Sequence, residues 1–302
     1  MSTPKPATPH PAPRAGQENS GAALCFLKSA APAASLPEQT LAAIRCVAMH
    51  ADDAAAWRHI GGAARRRAQA SFSDCGTPIA GLCGVLHMPL DALPALAAQP
   101  ELMPTDPDAL ADCLRQAWAL LHRVWPAAGR ESMYFVRAIA SGRLLSGRQS
   151  SGSSAECPFA IRIDFCSEDP IPLLADAIVH EASHVKLRLS GWLPALCPAE
   201  DTPRWRHPWR AELRPASAVI VACHAFVAVH GFHARRRAFA SEGAAAVEAK
   251  LRGEVGQGLT TLQGIDGLTA VGRLFSDLLR STFEAHCRLA ESLRPHVDPQ
   301  RQ

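Results

Sequence analysis

The segment His180-Glu181-Ala182-Ser183-His184 lies inside an apolar run containing Leu174, Ala177, Ile178, Val179 and Val185. No other stretch constrains the fold as strongly. Residues four apart on an α-helix lie on one face, one turn above the other, so a helix brings His180 and His184 together. The apolar flanks require that helix to be buried. Two imidazoles and a carboxylate in a buried helix are costly unless they pair or bind something. The spacing is that of a divalent metal site with two imidazole ligands. Glu181 projects about 100° round from His180, where it reaches a metal-bound water without being a ligand. The competing reading is a pair of core histidines satisfied by hydrogen bonds.

Two histidines leave a metal site one protein ligand short. His224 is the first candidate: it sits mid-way along the next long helix, on a face lined by Ser217, Val221, Ala228 and Gly231. Small residues there leave room for an ion. Glu212, in the connector before that helix, is the second. His230 and His233 fall on other faces of the same helix. Ser190 stands where a third histidine six residues after His184 would complete a metzincin pattern.

The rest of the chain reads as a mainly α protein with a small β-sheet, an α+β fold. Residues 1–22 are polar and proline-rich and predict a disordered tail. Residues 23–295 read as a single catalytic domain. Within it, 23–130 form a candidate helical subdomain, 131–235 the metal-site core and 236–295 the C-terminal helices, with 296–302 a tail. A helical pattern runs from Leu36 to Ala70, with Asp52 and Asp53 as caps for a second helix. Residues 71–89 predict a loop. Thr105-Asp106-Pro107-Asp108 opens a helix whose apolar positions are Leu110, Leu114, Ala117, Leu121 and Val124. Strands are predicted at Met133–Ala138 and Phe159–Phe165, with a flexible Ser/Gly loop at 146–154 between them. In the second strand Ile161, Ile163 and Phe165 alternate with Arg162 and Asp164. The motif helix runs from Asp169-Pro170 to Leu189. A connector at 191–214 precedes a helix opened by Pro215, and two more helices follow near 240–262 and 267–293.

A net charge of +3 over 302 residues gives no footprint for nucleic acid or a membrane surface. No stretch approaches the roughly 18 uninterrupted apolar residues of a membrane span. The N-terminus has no apolar core of a signal peptide. The ten cysteines form no C-x-x-C pair. They read as reduced, mostly buried thiols of a cytoplasmic protein.

The connector carries His207-Pro208-Trp209-Arg210-Ala211-Glu212-Leu213-Arg214-Pro215. Arg210 and Arg214 offer planar, bidentate donors suited to a carboxylate, and Trp209 a ligand wall. Pairing of these arginines with Glu212, and a purely anchoring Trp209, are the plainer alternatives.

Together, V-H-E-A-S-H-V-K-L at 179–187, H-P-W-R-A-E-L-R-P at 207–215 and a helix with a central histidine resemble a known family. These are the HExxH-motif proteins of gene clusters for ribosomally made, post-translationally modified peptides. The resemblance covers about residues 155–235. It implies a zincin-like active-site helix pair and an Fe(II)- and 2-oxoglutarate-dependent hydroxylase acting on the β-carbon of a residue in a precursor peptide. It further implies His180, His184 and His224 as metal ligands, and Arg210 and Arg214 as candidates for holding a carboxylate of co-substrate or substrate. Where the family's central histidine is commonly followed by glycine, this chain has Ala225.

Two other functions fit the same residues. A Zn(II) peptidase would use Glu181 as catalytic general base. A non-catalytic peptide-binding scaffold would keep the metal site as a relic. The terminal helices suit a peptide groove, a homodimer contact or a contact with a cluster-encoded partner protein equally well.

Overall fold

The structure is a computed structural model. It describes residues 38–49, parts of 57–103, and residues 107–144, 150–165, 171–239 and 242–293. The expected terminal tails and the caps at Asp52 and Asp53 lie outside the described residues.

The protein is mostly helical with a small mixed sheet. Its helices are α1 (Glu38–Ala48), α2 (Pro107–Val124), α3 (Pro126–Phe135), α4 (Ile171–Ser190), the short α5 (Leu193–Leu196), α6 (Ala216–Arg236), α7 (Glu242–Gln263) and α8 (Ala270–Ser292). The strands are β1 (Thr77–Pro78), β2 (Leu86–Met88), β3 (Leu102–Met103), β4 (Ala138–Leu144), β5 (Ser150–Ser153), β6 (Ala160–Phe165), β7 (Trp205–His207) and β8 (Arg210–Arg214). The main sheet has the order β1-β2-β4-β6-β5, with β3 also on β4. Its centre, β2-β4-β6, is parallel, and β1, β3 and β5 join antiparallel. β7 and β8 form a separate antiparallel hairpin.

Strong periodicity carries through to structure. α2 starts at Pro107 and buries Leu110, Leu114, Ala117 and Leu121. The motif helix α4 and helices α6, α7 and α8 fall where the spacing predicts them. Short or polar stretches depart from expectation. Met133, Tyr134 and Phe135 end α3 instead of starting a strand, because Pro126 at its first turn opens a helix that runs on to Phe135. The strand begins at Ala138. The expected loop at 71–89 holds β1 and β2. The part of the chain expected as a helical subdomain thus gives β1, β2 and β3 to the same sheet as β4, β5 and β6.

Within the Ser/Gly segment, Ser150–Ser153 is a strand. β5 pairs with the buried β6 through Ser151↔Ile163 and Ser153↔Ile161. Serine and glycine have little strand preference of their own, so pairing and side-chain contacts decide here. The alternation expected in β6 is present, and Ile161 and Ile163 are fully buried. Arg162 and Asp164 on the other face are buried too, joined at 2.9 Å.

Two hydrophobic clusters meet at α4. One unites the main sheet with α2, α3 and most of α4, through residues such as Ile178 and Val179. The other packs α1, α5, α7 and α8 around the first half of α6 and includes Leu187 of α4. Thr269 ties the two ends of this second cluster: its hydroxyl accepts from Gly272 N–H at the start of α8 and donates to Ala195 O of α5 at 2.6 Å. Among the described helices, Ala216–Arg236 alone is long and apolar enough to cross a membrane. In this fold 72% of the apolar 18-residue stretch within it is buried inside the protein.

Candidate metal centre

Which way α4 faces is fixed by polar locks on another side and at the N-terminal end of the histidine face. Lys186 donates to Glu131 of α3 at 2.7 Å and to Met49 O beyond α1 at 3.3 Å. Asp176 takes a hydrogen bond from His233 of α6 at 3.0 Å. With these locks in place, His180, Glu181, His184 and Arg188 turn toward β5 and the neighbouring stretch of α6.

The Nε2 atoms of His180 and His184 are 2.9 Å apart, with their rings edge-on at 89°. Burial holds the His184 imidazole neutral, well below its ordinary range, and the nearby His180, Arg188 and His224 add to the effect. Nδ1 of His184 is buried with no hydrogen-bond partner among the described residues. Ligand atoms of His180, Glu181 and His184 lie within 4.8 Å of one another, a grouping able to hold a metal ion. Neutral imidazoles with converging lone pairs are what a divalent transition ion requires.

Glu181 is buried and both of its oxygens are engaged. Ser151 Oγ donates to Oε1 at 2.7 Å, and Ser153 Oγ donates to Oε2 at 2.6 Å. Oε1 stands 4.0 Å from His180 Nε2. Ser153 Oγ also accepts from Arg188 Nη1 at 2.7 Å. Burial lowers the Arg188 guanidinium pKa and Glu181 partly offsets this. Sequence reading missed Ser151, Ser153 and Arg188. Arg188 was legible, since it follows His184 by four and therefore shares its helix face. The serines were not, because nothing local marks 150–153 as a strand.

An aromatic wall stands beside His180. Phe226 of α6 meets its ring edge-on at 4.8 Å. Trp209 stacks on Phe226 at 4.1 Å and 8°. Gly258 of α7 makes room for it: a Cβ there would sit 2.7 Å from Trp209 Cη2. Trp209 thus stands one ring removed from the histidines and packs against the core. His207 is buried, and its Nδ1 accepts from the Trp209 N–H at 3.3 Å.

The other expected site residues lie elsewhere. His224 is buried on α6, but its Nε2 faces Val47 O of α1 at 2.7 Å, and it is not in the His180–Glu181–His184 group. Its neighbourhood with His184 is electrostatic. The reason is helical phase: the residue of α6 that turns to His180 is Phe226, two positions on. Glu212, Arg210 and Arg214 are all exposed on β8. The connector at 191–214 thus contains a hairpin whose second strand faces solvent. His230 pairs with Glu248 of α7 at 3.0 Å.

No family model matches the chain, and no curated protein matches it.

Proposed function

We propose that this chain is a cytoplasmic metal-dependent enzyme, an Fe(II)- and 2-oxoglutarate-dependent hydroxylase that acts on the β-carbon of a residue in a ribosomally made precursor peptide. The observation that carries the reading is the convergence of His180 and His184 beside a Glu181 whose two oxygens already accept serine hydroxyls. His180 and His184 would hold the ion. When bound, Fe(II) and 2-oxoglutarate would let O2 act as the oxidant, one oxygen atom replacing a C–H hydrogen as hydroxyl and the other ending in succinate, with CO2 released.

The protein's own part is binding and exclusion. Glu181, fixed by Ser151 and Ser153, sets the polarity of the floor beside the imidazoles. Phe226 and Trp209 close one side against water and offer an apolar face to a peptide side chain. Support for an oxidative over a hydrolytic role comes from the resemblance of residues 155–235. Each Glu181 oxygen accepts one serine hydroxyl and keeps a second lone pair, so both roles of the carboxylate stay open to the test. The peptide as substrate rests on the same resemblance.

The test is anaerobic. Protein loaded with Fe(II) and given 2-oxoglutarate is expected to develop the visible charge-transfer band of a chelated keto acid, absent in His180→Ala. Protein that binds one metal per chain yet gives no band would overturn the proposal. Peptide cleavage by the zinc-loaded protein, abolished in Glu181→Gln, would establish the peptidase instead.

A further inference from the structure

We infer that Arg58, Arg65, Arg66 and Tyr134 form a binding site for a terminal phosphate group, separate from the metal centre. The inference goes beyond the function proposed above and does not rest on it. Trp57, Arg58, Gly62, Arg65 and Arg66 are all helical. Arg58, Gly62, Arg65 and Arg66 recur at the spacing that sets residues on one helix face. That face meets Tyr134 of α3. The Arg65 guanidinium lies over the Tyr134 ring, 4.5 Å from its centroid, and the Trp57 ring stands 5.8 Å from the same centroid. Glu131, one turn back on α3, reaches α4 at Lys186 and not at the histidines.

The cluster is rich in donors that lack an acceptor. Trp57 Nε1, Arg65 Nε and Tyr134 Oη are buried, and none has a hydrogen-bond partner among the described residues. Buried polar groups are paired in the great majority of cases, so orphans gathered round one ring point to an acceptor supplied from outside. Charge is unbalanced as well. Burial raises the Tyr134 pKa while Arg65, Arg58 and Arg66 pull it down, so all three cations act on the hydroxyl. None of the three forms an ion pair with a described carboxylate.

Gly62 leaves the room. A Cβ there would meet Arg58 Cβ, Arg66 Nη1 and Tyr134 Oη at 3.9 Å each, with no described side chain nearer. An extra atom therefore fits between the guanidinium and the hydroxyl without a clash. Arg58 and Arg66 are exposed, so the gap is reached from solvent. A terminal phosphate matches this setting: it brings three acceptor oxygens and a charge of about −2. Its oxygens also suit the planar forks of arginine. A carboxylate or a phosphodiester brings a single charge.

The experiment is calorimetric titration of the full chain, without added metal and at constant ionic strength. The probes are inorganic phosphate, glycerol phosphate, dimethyl phosphate and acetate. The first two should saturate, and the singly charged pair should bind at least about tenfold more weakly. Arg58→Ala and Arg66→Ala are each expected to weaken phosphate about 10- to 30-fold, and Tyr134→Phe about 3- to 10-fold. Tyr134 is the chain's only tyrosine, so a phosphate-dependent ultraviolet difference spectrum of tyrosine locates the ligand. Gly62→Asp sets a carboxylate in the gap. It should abolish phosphate binding and raise the thermal midpoint in phosphate-free buffer, which separates a filled site from an unfolded chain.

Binding of inorganic phosphate without glycerol phosphate would support the site and mark its ligand as free phosphate. Absence of saturable phosphate binding would overturn the inference. Acetate or dimethyl phosphate binding as tightly as phosphate would overturn it too, as would wild-type affinity in both arginine variants or in Gly62→Asp.

Discussion

Lys186 and Glu131 form an ion pair at 2.7 Å, with side chains 0% and 1% exposed. The pair joins the motif helix α4 to α3 on the side away from the histidines. Removing one partner of a buried pair leaves an uncompensated charge and costs about 3–5 kcal/mol. Lys186→Met alone should therefore lower the stability of the protein by about that much, read from urea unfolding. Lys186→Met combined with Glu131→Leu should recover most of the loss, because no charge is then stranded. A double variant no better than the single would show that the pair does not act as a unit.

Acid should destabilise the metal-free protein early. Burial lowers the pKa of His184 well below 6.5, and lowers those of His87, His207 and His230. In the unfolded chain these imidazoles bind protons near pH 6.5, while in the folded protein they stay neutral. Between 6.5 and the lowered values the unfolded state binds more protons, so stability falls as pH falls. The penalty is absent above 6.5 and is complete below the folded pKa values. Urea midpoints measured from pH 8 to pH 5 should drop from about 6.5 downward, and His207→Gln should flatten that slope. A flat profile down to pH 5 would contradict the burial argument.

Gly258 is where α7 admits Trp209. Gly258→Ala would place its Cβ 2.7 Å from Cη2 and 2.9 Å from Cζ3 of the indole. The ring must shift, and with it the stack on Phe226 beside His180. We expect a loss of about 1–3 kcal/mol in stability and a change in tryptophan emission. Unchanged emission and stability would mean that the wall is not packed as described.

Glu181→Gln should keep one metal per chain and retain the keto-acid band, since His180 and His184 hold the ion. Removing its supports is a separate matter. Ser151→Ala and Ser153→Ala each take a hydroxyl donor from a buried carboxylate and should cost about 1–3 kcal/mol in stability. Loss of all metal in Glu181→Gln would instead make the carboxylate a ligand.

The thiols should be quiet. Burial pushes Cys197 and Cys223 up to about 12 and raises Cys157 and Cys287. All four are free. Since the thiolate is the nucleophile, alkylation at pH 8 should be slow at Cys197 and Cys223 until the protein is unfolded, as mapped by mass spectrometry. Rapid labelling of either in native protein would refute their burial.

What the sequence determined by itself was periodic. The apolar spacing of residues 174–189 specified α4, and the i,i+4 rule then made His180 and His184 neighbours whatever the rest of the chain does. The same argument gave α2, α6, α7 and α8, and alternation gave β6. Tertiary structure decided what periodicity cannot carry. Strand β5 exists because a polar Ser/Gly segment found both a buried strand to pair with and a carboxylate for its hydroxyls. His224 looked like a third ligand from its place in α6. The rotation of α6 against α4 turned Phe226 to His180 instead and left His224 on Val47 O. Arg210 and Arg214 carried the right chemistry, but the hairpin put them in solvent, while Arg188 came to the site by lying on the helix that made it. Helical phase within one element is written in local spacing. The phase of one helix against another is set by packing across distant segments, and a single sequence does not display it.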